Sequence, residues 1–161
     1  MQSELLWASG KVKRWHAFPI IGEQTVADHS WGVALIVAEV AENHLDVNLM
    51  KAALLHDAAE MFTGDVPYGA KKKWPQLGEM LRECEYEVER AFKIDFHLTG
   101  EQREILKWAD MFELLMFADA QRELGNRNVV EMQRLAYSLV TEAPTVSAYK
   151  LLERFTKDER E

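Results

Sequence analysis

The sequence predicts an all-α fold, a bundle of about six helices. Apolar residues recur at spacings of three and four along most of the chain, which is the period of an amphipathic helix. The alternation typical of strands is nearly absent, and residues that cap or end helices punctuate the periodic segments. Because the chain has 161 residues, 48% of them hydrophobic, and no linker-like stretch, residues 1–161 are predicted to form one domain.

The boundaries of the predicted helices follow from this periodicity. They cover approximately residues 3–14, 28–44, 48–62, 76–96, 99–125 and 127–155, with a loop or short helix between the third and the fourth. Thr25 or Asp28 can cap the second helix. Thr99 and Gln102 have the spacing of a capping box at the start of the fifth, and Gly125 is a typical residue at its end. A proline interrupts the last helix.

Charge and composition exclude several classes of function. The net charge of −8 argues against binding to a nucleic-acid duplex, whose phosphates would be repelled. A single cysteine, Cys84, excludes an intramolecular disulfide framework. No segment resembles a signal peptide or approaches the roughly 18 apolar residues of a membrane span. We therefore expect a cytoplasmic protein with a small-molecule partner and no membrane partner.

A metal-ligand pattern is the main chemical signal of the sequence. Two imidazoles and two carboxylates are a ligand set that leaves positions open for water and substrate on a divalent metal, and the candidates are His29, His56, Asp57 and Asp110. His56 and Asp57 lie in an apolar stretch of a predicted helix, where two buried polar groups need compensation. Consecutive helical residues diverge by about 100° and can bind one ion from two sides. Glu60, one turn after His56, is a candidate general base or water-positioning group, so the pattern indicates metal-assisted hydrolysis.

Three segments, VADHSWGVALIVAEV, LLHDAAEMFTGDVPYGAK and LKWADMFELLMFADA, resemble the HD-domain phosphohydrolase superfamily. Its pattern is a His, a His-Asp pair and a distal Asp around a metal. The RW dipeptide before the first His and the string HDAAEMFTGDVP are similar to the YfbR-like 5'-deoxynucleotidase branch. The loop RWHAFPIIGEQTVADHSWGVA is similar to the compact phage-encoded branch, which includes dATP triphosphohydrolases. The resemblance covers about residues 10–125 and implies a single HD domain.

The resemblance implies a metal site. His29, His56, Asp57 and Asp110 would bind one divalent transition metal, and cobalt, manganese, zinc, iron and nickel are not distinguished by this mixed nitrogen and oxygen set. Asp119 is a rival for the last ligand, but it lies nine residues beyond Asp110, so both cannot reach one ion. The WADMFELL context favours Asp110.

The resemblance also implies catalytic and substrate-binding residues. Glu60 would orient the attacking water, and Arg14 would contact phosphate. Trp15 would close over the sugar, where a 2'-hydroxyl would crowd, and Asp65 would bind the deoxyribose 3'-hydroxyl. Lys71 occupies the position of a phosphate-side lysine, with the next two lysines as alternatives.

The loop after the Arg-Trp pair supplies further candidates. His16 is a candidate to hold phosphate or base, and Phe18, Pro19 and Ile20 are candidates for a wall of the base pocket. Core packing is the commoner role of such aromatic residues.

The expected reaction is hydrolysis at the α-phosphate of a small deoxynucleotide, with dATP, dADP and dAMP yielding deoxyadenosine and a phosphate product. Three alternatives stay open. A 5'-deoxynucleotidase would act on monophosphates only. A cyclic-nucleotide or other phosphoester hydrolase would not need Asp65, and a non-catalytic nucleotide-binding module would use the metal as a structural element.

The resemblance further implies a homo-oligomer, a dimer or a hexamer, in the cytoplasm of a bacterium or of a phage-infected host. Four aromatic residues are candidates either for an exposed interface or for the core: Trp74, Trp108, Phe112 and Phe117.

Overall fold

The structure, a computed structural model, describes residues 2–158. The all-α prediction is confirmed: these residues form helices, and within them the only β-type pairing is one antiparallel bridge between Lys13 and Thr25. Residues 1 and 159–161 of the predicted domain range lie outside the described residues. Among the described helices, none has the length and apolar character needed to cross a membrane.

The described chain divides its helices more finely than the sequence pattern indicates. In chain order they are α1 (Gln2–Ser9), α2 (Val26–Val40), α3 (Val47–Leu55), α4 (Glu60–Thr63), α5 (Tyr68–Lys73), α6 (Pro75–Phe92), α7 (Gly100–Glu123), α8 (Val130–Val140) and α9 (Val146–Asp158), with short 3-10 turns at Glu42–His44 and Arg127–Val129. The predicted last helix is two helices, α8 and α9, because the chain turns around Pro144.

The core lies around the long helix α7. Helix α2 packs against α3, α7 and α9, and α8 packs against α7. The fully buried side chains of this core include Val37, Leu49, Ile105, Phe112 and Leu115. Their removal from water holds α2 and α7 side by side, and these are the helices that carry His29 and Asp110.

The predicted caps are confirmed at both central helices. Thr25 and Asp28 act together, since the Thr25 side chain accepts from the backbone of Asp28 and the Asp28 carboxylate accepts from the backbone of Thr25. Thr99 and Gln102 form the same reciprocal pair at the start of α7. Such pairs satisfy amide groups that the first helical turn leaves without partners.

The predicted helix over residues 48–62 is broken at the His-Asp pair. Around this pair the backbone hydrogen bonds span three residues instead of the four of an α-helix. Ala58 N–H donates to the Leu55 carbonyl at 2.9 Å, and Glu60 N–H donates to the Asp57 carbonyl at 3.0 Å. The expectation that His56 and Asp57 lie inside a helix is therefore wrong. Both occupy the tight turn between α3 and α4, so the turn, rather than the helical 100° step, sets their directions.

Trp108 and Phe112 belong to the core, so the alternative that placed them at an exposed interface is wrong for both. Their side chains are buried, and their rings stack at 4.8 Å. The Trp108 indole donates to the Val140 carbonyl at 2.9 Å. Trp74, by contrast, is 53% exposed, and Phe117 is half-buried.

Truncation of Phe112 is expected to destabilise the fold strongly. Its side chain has no exposure and lies between the rings of Trp108 and Phe155, so Phe112→Ala leaves a cavity that costs about 3–5 kcal/mol in the free energy of unfolding. Urea denaturation followed by circular dichroism measures this change. Met116→Ala, on the exposed side of the same helix, is the matched control and should stay within about 0.5 kcal/mol of wild type.

Candidate active site

The loop between α1 and α2 folds back on itself and places the Arg-Trp pair beside the start of α2. Arg14 N–H donates to the Gln24 carbonyl at 2.9 Å, and Val26 N–H donates to the Val12 carbonyl at 2.9 Å. These bonds flank the Lys13–Thr25 bridge. The side chains of Arg14 and Trp15 consequently emerge next to the helix that carries His29.

Two buried amide side chains fasten the rest of this loop to the end of α7. Gln121 accepts from Ile21 N–H at 2.8 Å and donates to the Ile21 carbonyl at 2.9 Å. Asn126 donates to the Pro19 carbonyl at 2.9 Å and to Gln121 at 3.0 Å. The loop that contains the candidate base-contacting residues is thus attached at its middle as well as at its ends.

The structure brings His29, His56 and Asp57 together as a possible metal site. Their ligand atoms all lie within 4.8 Å of one another. The two Nε2 atoms are 3.3 Å apart, and the Asp57 Oδ2 is 3.5 Å from His29 Nε2 and 3.6 Å from His56 Nε2. His29 comes from the first turn of α2, whereas the other two come from the turn after α3.

Asp110 approaches this cluster from α7. Its Oδ1 lies 3.1 Å from His29 Nε2. Asp119, the rival carboxylate, instead accepts from the Gln133 side chain at 3.0 Å. Asp110 therefore lies beside the cluster, and its role as a ligand stays a prediction.

The tautomers of the two histidines fit a cation. His56 Nδ1 lies 3.1 Å from the Ala53 carbonyl, and His29 Nδ1 lies 2.6 Å from a Glu113 carboxylate oxygen. Both partners are acceptors, so each Nδ1 carries a hydrogen and the Nε2 of each ring faces the cluster, where its lone pair can bind a metal once it carries no proton. Two such nitrogens beside two carboxylates form a group of acceptors that a divalent metal satisfies.

In the metal-free protein, a proton on His29 satisfies part of this group of acceptors in place of a metal. Burial alone would lower the pKa of His29, but its hydrogen bonds to Asp110 and Glu113 raise that pKa to about 9. Although burial acts to raise the pKa of Asp110, its hydrogen bond to His29 and the nearby imidazoles hold that pKa below its ordinary value. A metal must displace the His29 proton in order to bind.

Glu60 lies at the edge of the same cluster. Its Oε2 is buried without a hydrogen-bond partner. Burial first, and then the charges of Asp57 and Asp65, raise the pKa of the Glu60 carboxyl to about 8. A carboxyl with a raised pKa and a free oxygen is suited to hold a water molecule and accept its proton.

The stability of the metal-free protein is expected to fall between about pH 6.5 and pH 9. The pKa of His29 rises on folding from 6.5 to about 9. The free energy of unfolding therefore includes the full contribution of its bound proton below pH 6.5, and this contribution is lost as the pH rises through 9. The pKa of Glu60 rises from 4.5 to about 8, so its ionisation also disfavours the folded state as the pH rises through this range.

Thermal unfolding in EDTA across this pH range measures the effect. Glu60→Gln removes one of the two titrating groups and should reduce the fall in Tm. An unchanged or rising Tm between pH 6.5 and pH 9 would contradict the assignment.

Arg14 pairs with a candidate metal ligand in this structure. Its Nη1 donates to Asp57 Oδ2 at 2.7 Å, and both side chains are largely buried. Its Nε is buried without a partner. A guanidinium has five N–H donors, so the contact to Asp57 leaves others for phosphate oxygens.

Trp15 connects the loop with the segment after α4. Its φ of 61° lies in the left-handed region, which bulky residues rarely adopt. Its backbone N–H donates to Asp65 Oδ2 at 3.1 Å, and its ring stacks on Phe117 at 5.6 Å. Gly64, with φ 69° and ψ 168°, has a conformation open essentially only to glycine and directs the chain so that Asp65 reaches Trp15.

The structure separates the remaining predicted residues into two groups. Phe18 packs edge-on against Trp15 at 6.4 Å and is 40% exposed, while Ile20 is half-buried and His16 is exposed. Lys71, on α5, is half-buried and lines a cleft with His56, Asp57, Glu60 and Glu85. The neighbours Lys72 and Lys73 are exposed.

Sequence reasoning missed four polar residues that support the site: Gln24, Glu113, Gln121 and Asn126. All four are buried. Glu113 carried a visible signal, since it is charged and lies within the apolar pattern of α7. The amide residues carried none, because each has a partner that is distant in sequence: 89 residues separate Gln24 from Glu113, 100 separate Gln121 from Ile21 and 107 separate Asn126 from Pro19.

Comparisons with known proteins agree on one family. The family model for YfbR-like 5'-deoxynucleotidases matches residues 9–158. A dATP triphosphohydrolase of cyanophage S-2L is 30% identical over 112 residues, which are 66% of this chain and 63% of that protein's length. A 5'-deoxynucleotidase of Pasteurella multocida is 26% identical over 140 residues, which are 73% of this chain and 71% of that protein.

A solved structure shares the fold. The HD phosphohydrolase of cyanophage S-2L, bound to dA and one catalytic Zn²⁺ ion, superposes with a TM-score of 0.68 at 24% identity, over 98% of each chain. The described helices therefore have the fold of an HD phosphohydrolase.

Proposed function

Because the chain belongs to the YfbR-like 5'-deoxynucleotidase family, we propose that residues 1–161 form a single HD-domain phosphohydrolase that cleaves 5'-deoxynucleotides at the α-phosphate. The convergence of the His29, His56 and Asp57 ligand atoms beside the Glu60 carboxyl carries this proposal. The substrate is dATP, with dADP and dAMP also accepted, and the product is deoxyadenosine. The name of the cyanophage relative and the dA in the solved structure support adenine as the base.

The cofactor is one divalent transition metal held by His29, His56, Asp57 and Asp110. Their nitrogen and oxygen donors suit cobalt, manganese, zinc, iron or nickel better than calcium, which prefers oxygen alone. The Zn²⁺ of the cyanophage structure supports this class of ion. When bound, the metal supplies Lewis acidity that neutralises phosphate charge and favours a nucleophilic water.

Glu60 orients the water that attacks the α-phosphorus and takes its proton. Its free Oε2 provides the acceptor, and its raised pKa brings the carboxyl closer to the basicity that proton transfer needs near neutral pH. Arg14 and Lys71 bind phosphate oxygens and stabilise the charge that develops on them in the transition state.

The sugar and base are bound by the loop between α1 and α2. Trp15 packs against the deoxyribose, where a 2'-hydroxyl would crowd, and its contacts to Phe117 and Asp65 hold it in place. Asp65 binds the 3'-hydroxyl through carboxylate capacity that the single bond to Trp15 leaves free. His16, Phe18 and Ile20 contact the base or phosphate from the same loop.

A second candidate is a 5'-deoxynucleotidase that acts only on monophosphates. The name of the Pasteurella relative, which this chain covers over 71% of its length, favours it. The two candidates share every residue named above and differ only in the phosphate chain that the cleft accepts.

The active form is proposed to be a homo-oligomer, a dimer or a hexamer. Helix α6 supports this proposal, because it is amphipathic while only Val88 of its residues is buried. Met80 on this helix is 64% exposed, and Trp74 at its start is 53% exposed. An apolar surface of this kind marks an interaction site, and light scattering after size exclusion measures the assembly.

Product analysis tests the proposed function. The purified protein is incubated with dATP, dAMP, AMP and dGTP after EDTA treatment and again after addition of Co²⁺. Deoxyadenosine and tripolyphosphate from dATP support the main proposal, and release from monophosphates alone supports the second candidate. Inactivity on all four substrates after metal addition would favour a non-catalytic binding module and contradict both.

A further inference from the structure

A series of three hydrogen bonds, two of them buried, connects the sugar side of the candidate site with its metal side. The Trp15 indole Nε1–H donates to Gln24 Oε1 at 2.7 Å, and Gln24 Nε2 donates to Glu113 Oε1 at 2.8 Å. His29 Nδ1 donates to the other oxygen of Glu113 at 2.6 Å. Gln24 is 5% exposed and Glu113 is 8% exposed.

The donor and the acceptor of each hydrogen bond in this series are fixed. An indole N–H only donates and a carboxylate only accepts, so the Gln24 amide must turn its oxygen to Trp15 and its nitrogen to Glu113. The carboxylate likewise requires a hydrogen on His29 Nδ1, so Nε2 is the ring atom that faces the cluster and is available to a metal. Both Glu113 oxygens have partners on the side of the imidazole away from the cluster, so Glu113 is no additional metal ligand.

The backbone of α2 makes room for this arrangement. A Cβ added at Gly32 would lie 2.8 Å from Glu113 Cγ, which is closer than two carbon atoms pack. Glycine at this position, one turn after His29, therefore lets α7 bring the Glu113 carboxylate against the imidazole. This close approach supports a specific function of Glu113 independently of the hydrogen bonds.

We propose that Glu113 and Gln24 are positioning residues, through which one carboxylate orients His29 toward the metal and anchors Trp15 over the sugar. Glu113 orients the metal ligand His29 directly. Gln24, which donates to Glu113, holds the Trp15 indole in position. The role of Trp15 rests on the proposed function, whereas the orientation of His29 depends only on metal binding. Carboxylates that orient metal-binding histidines typically change metal affinity by about 10–100-fold when they are removed.

The affinity for Co²⁺ alone, measured by competition with a chromophoric chelator at a temperature where each variant is folded, tests the Glu113 step. Glu113→Gln and Gly32→Ala should each weaken Co²⁺ binding by about 10–100-fold. Glu104→Gln, an exposed glutamate on the same helix, is the matched control and should leave the affinity unchanged. A merely structural role would lower the Tm of the two variants without changing the affinity of the folded protein.

Gln24→Met tests the Trp15 step, since methionine fills a similar volume without hydrogen bonds. The preference for dAMP over AMP should fall by about two- to tenfold, the usual effect of one hydrogen bond, while Co²⁺ affinity changes less than in Glu113→Gln. An unchanged preference would overturn this step.

Folded Glu113→Gln with wild-type Co²⁺ affinity would overturn the proposal, and if that variant does not fold, Gly32→Ala decides in the same way. Because Co²⁺ binding needs no substrate, a failure of the positioning role is distinguishable from a failure of the proposed function. A wild-type protein that hydrolyses no nucleotide leaves the affinity result intact, whereas unchanged affinities beside normal hydrolysis refute the positioning role alone.

Discussion

Glu60→Gln is expected to reduce kcat for the deoxynucleotide by about 10²–10⁴-fold, the usual contribution of a general acid or base. Glutamine keeps the shape of the side chain and can still contact water, but it cannot accept a proton. Because Glu60 lies outside the ligand cluster, metal affinity should stay close to that of wild type. Steady-state kinetics with added Co²⁺, together with a metal-binding titration, measure both quantities.

Glu104→Gln is a suitable control for this variant. Glu104 is exposed on α7, and the substitution removes the same charge, so kcat should not change. Wild-type turnover by folded, metal-loaded Glu60→Gln would show that another group takes the proton from water.

His56→Ala is expected to abolish metal-dependent activity. The His56 Nε2 lies 3.3 Å from His29 Nε2 and 3.6 Å from Asp57 Oδ2, so its removal takes away a direct ligand. Metal affinity should fall by more than the roughly 10–100-fold that follows the loss of an outer partner. Hydrolysis should drop to the level of EDTA-treated wild type.

His44→Ala is the control for the loss of an imidazole. His44 is exposed in the turn after the far end of α2, roughly 20 Å from His29 along a helix that rises about 1.5 Å per residue. The Co²⁺ affinity and the activity of the His44→Ala variant should equal those of wild type. Undiminished Co²⁺ affinity in His56→Ala would exclude His56 as a ligand.

Features with a local cause could be predicted from the sequence. The capping pairs at Thr25 and Thr99 were predictable because each is a contact over three residues. The HDxxE string and the distal Asp of WADMFELL were sufficient to indicate the family, which the match over residues 9–158 confirms. The roles of the individual site residues stay predictions.

Features with a tertiary cause could not be predicted. The apolar period runs unbroken through AALLHDAAEMF, so nothing local signals that the helix ends at the His-Asp pair. Trp108 and Phe112 were ambiguous because burial depends on which face of α7 meets α8 and α9. The bond between Glu113 and His29 joins residues 84 positions apart, and only the packing of α2 against α7 creates it.

The most direct test of the proposed reaction follows the oxygen of the attacking water. The metal-loaded protein is incubated with dATP and dAMP in ¹⁸O-labelled water, and the products are analysed by mass spectrometry. We expect label in the tripolyphosphate or orthophosphate and none in deoxyadenosine, because water attacks the α-phosphorus. Label in the 5'-hydroxyl of deoxyadenosine, or no metal-dependent release of deoxyadenosine from either substrate, would contradict the proposed reaction.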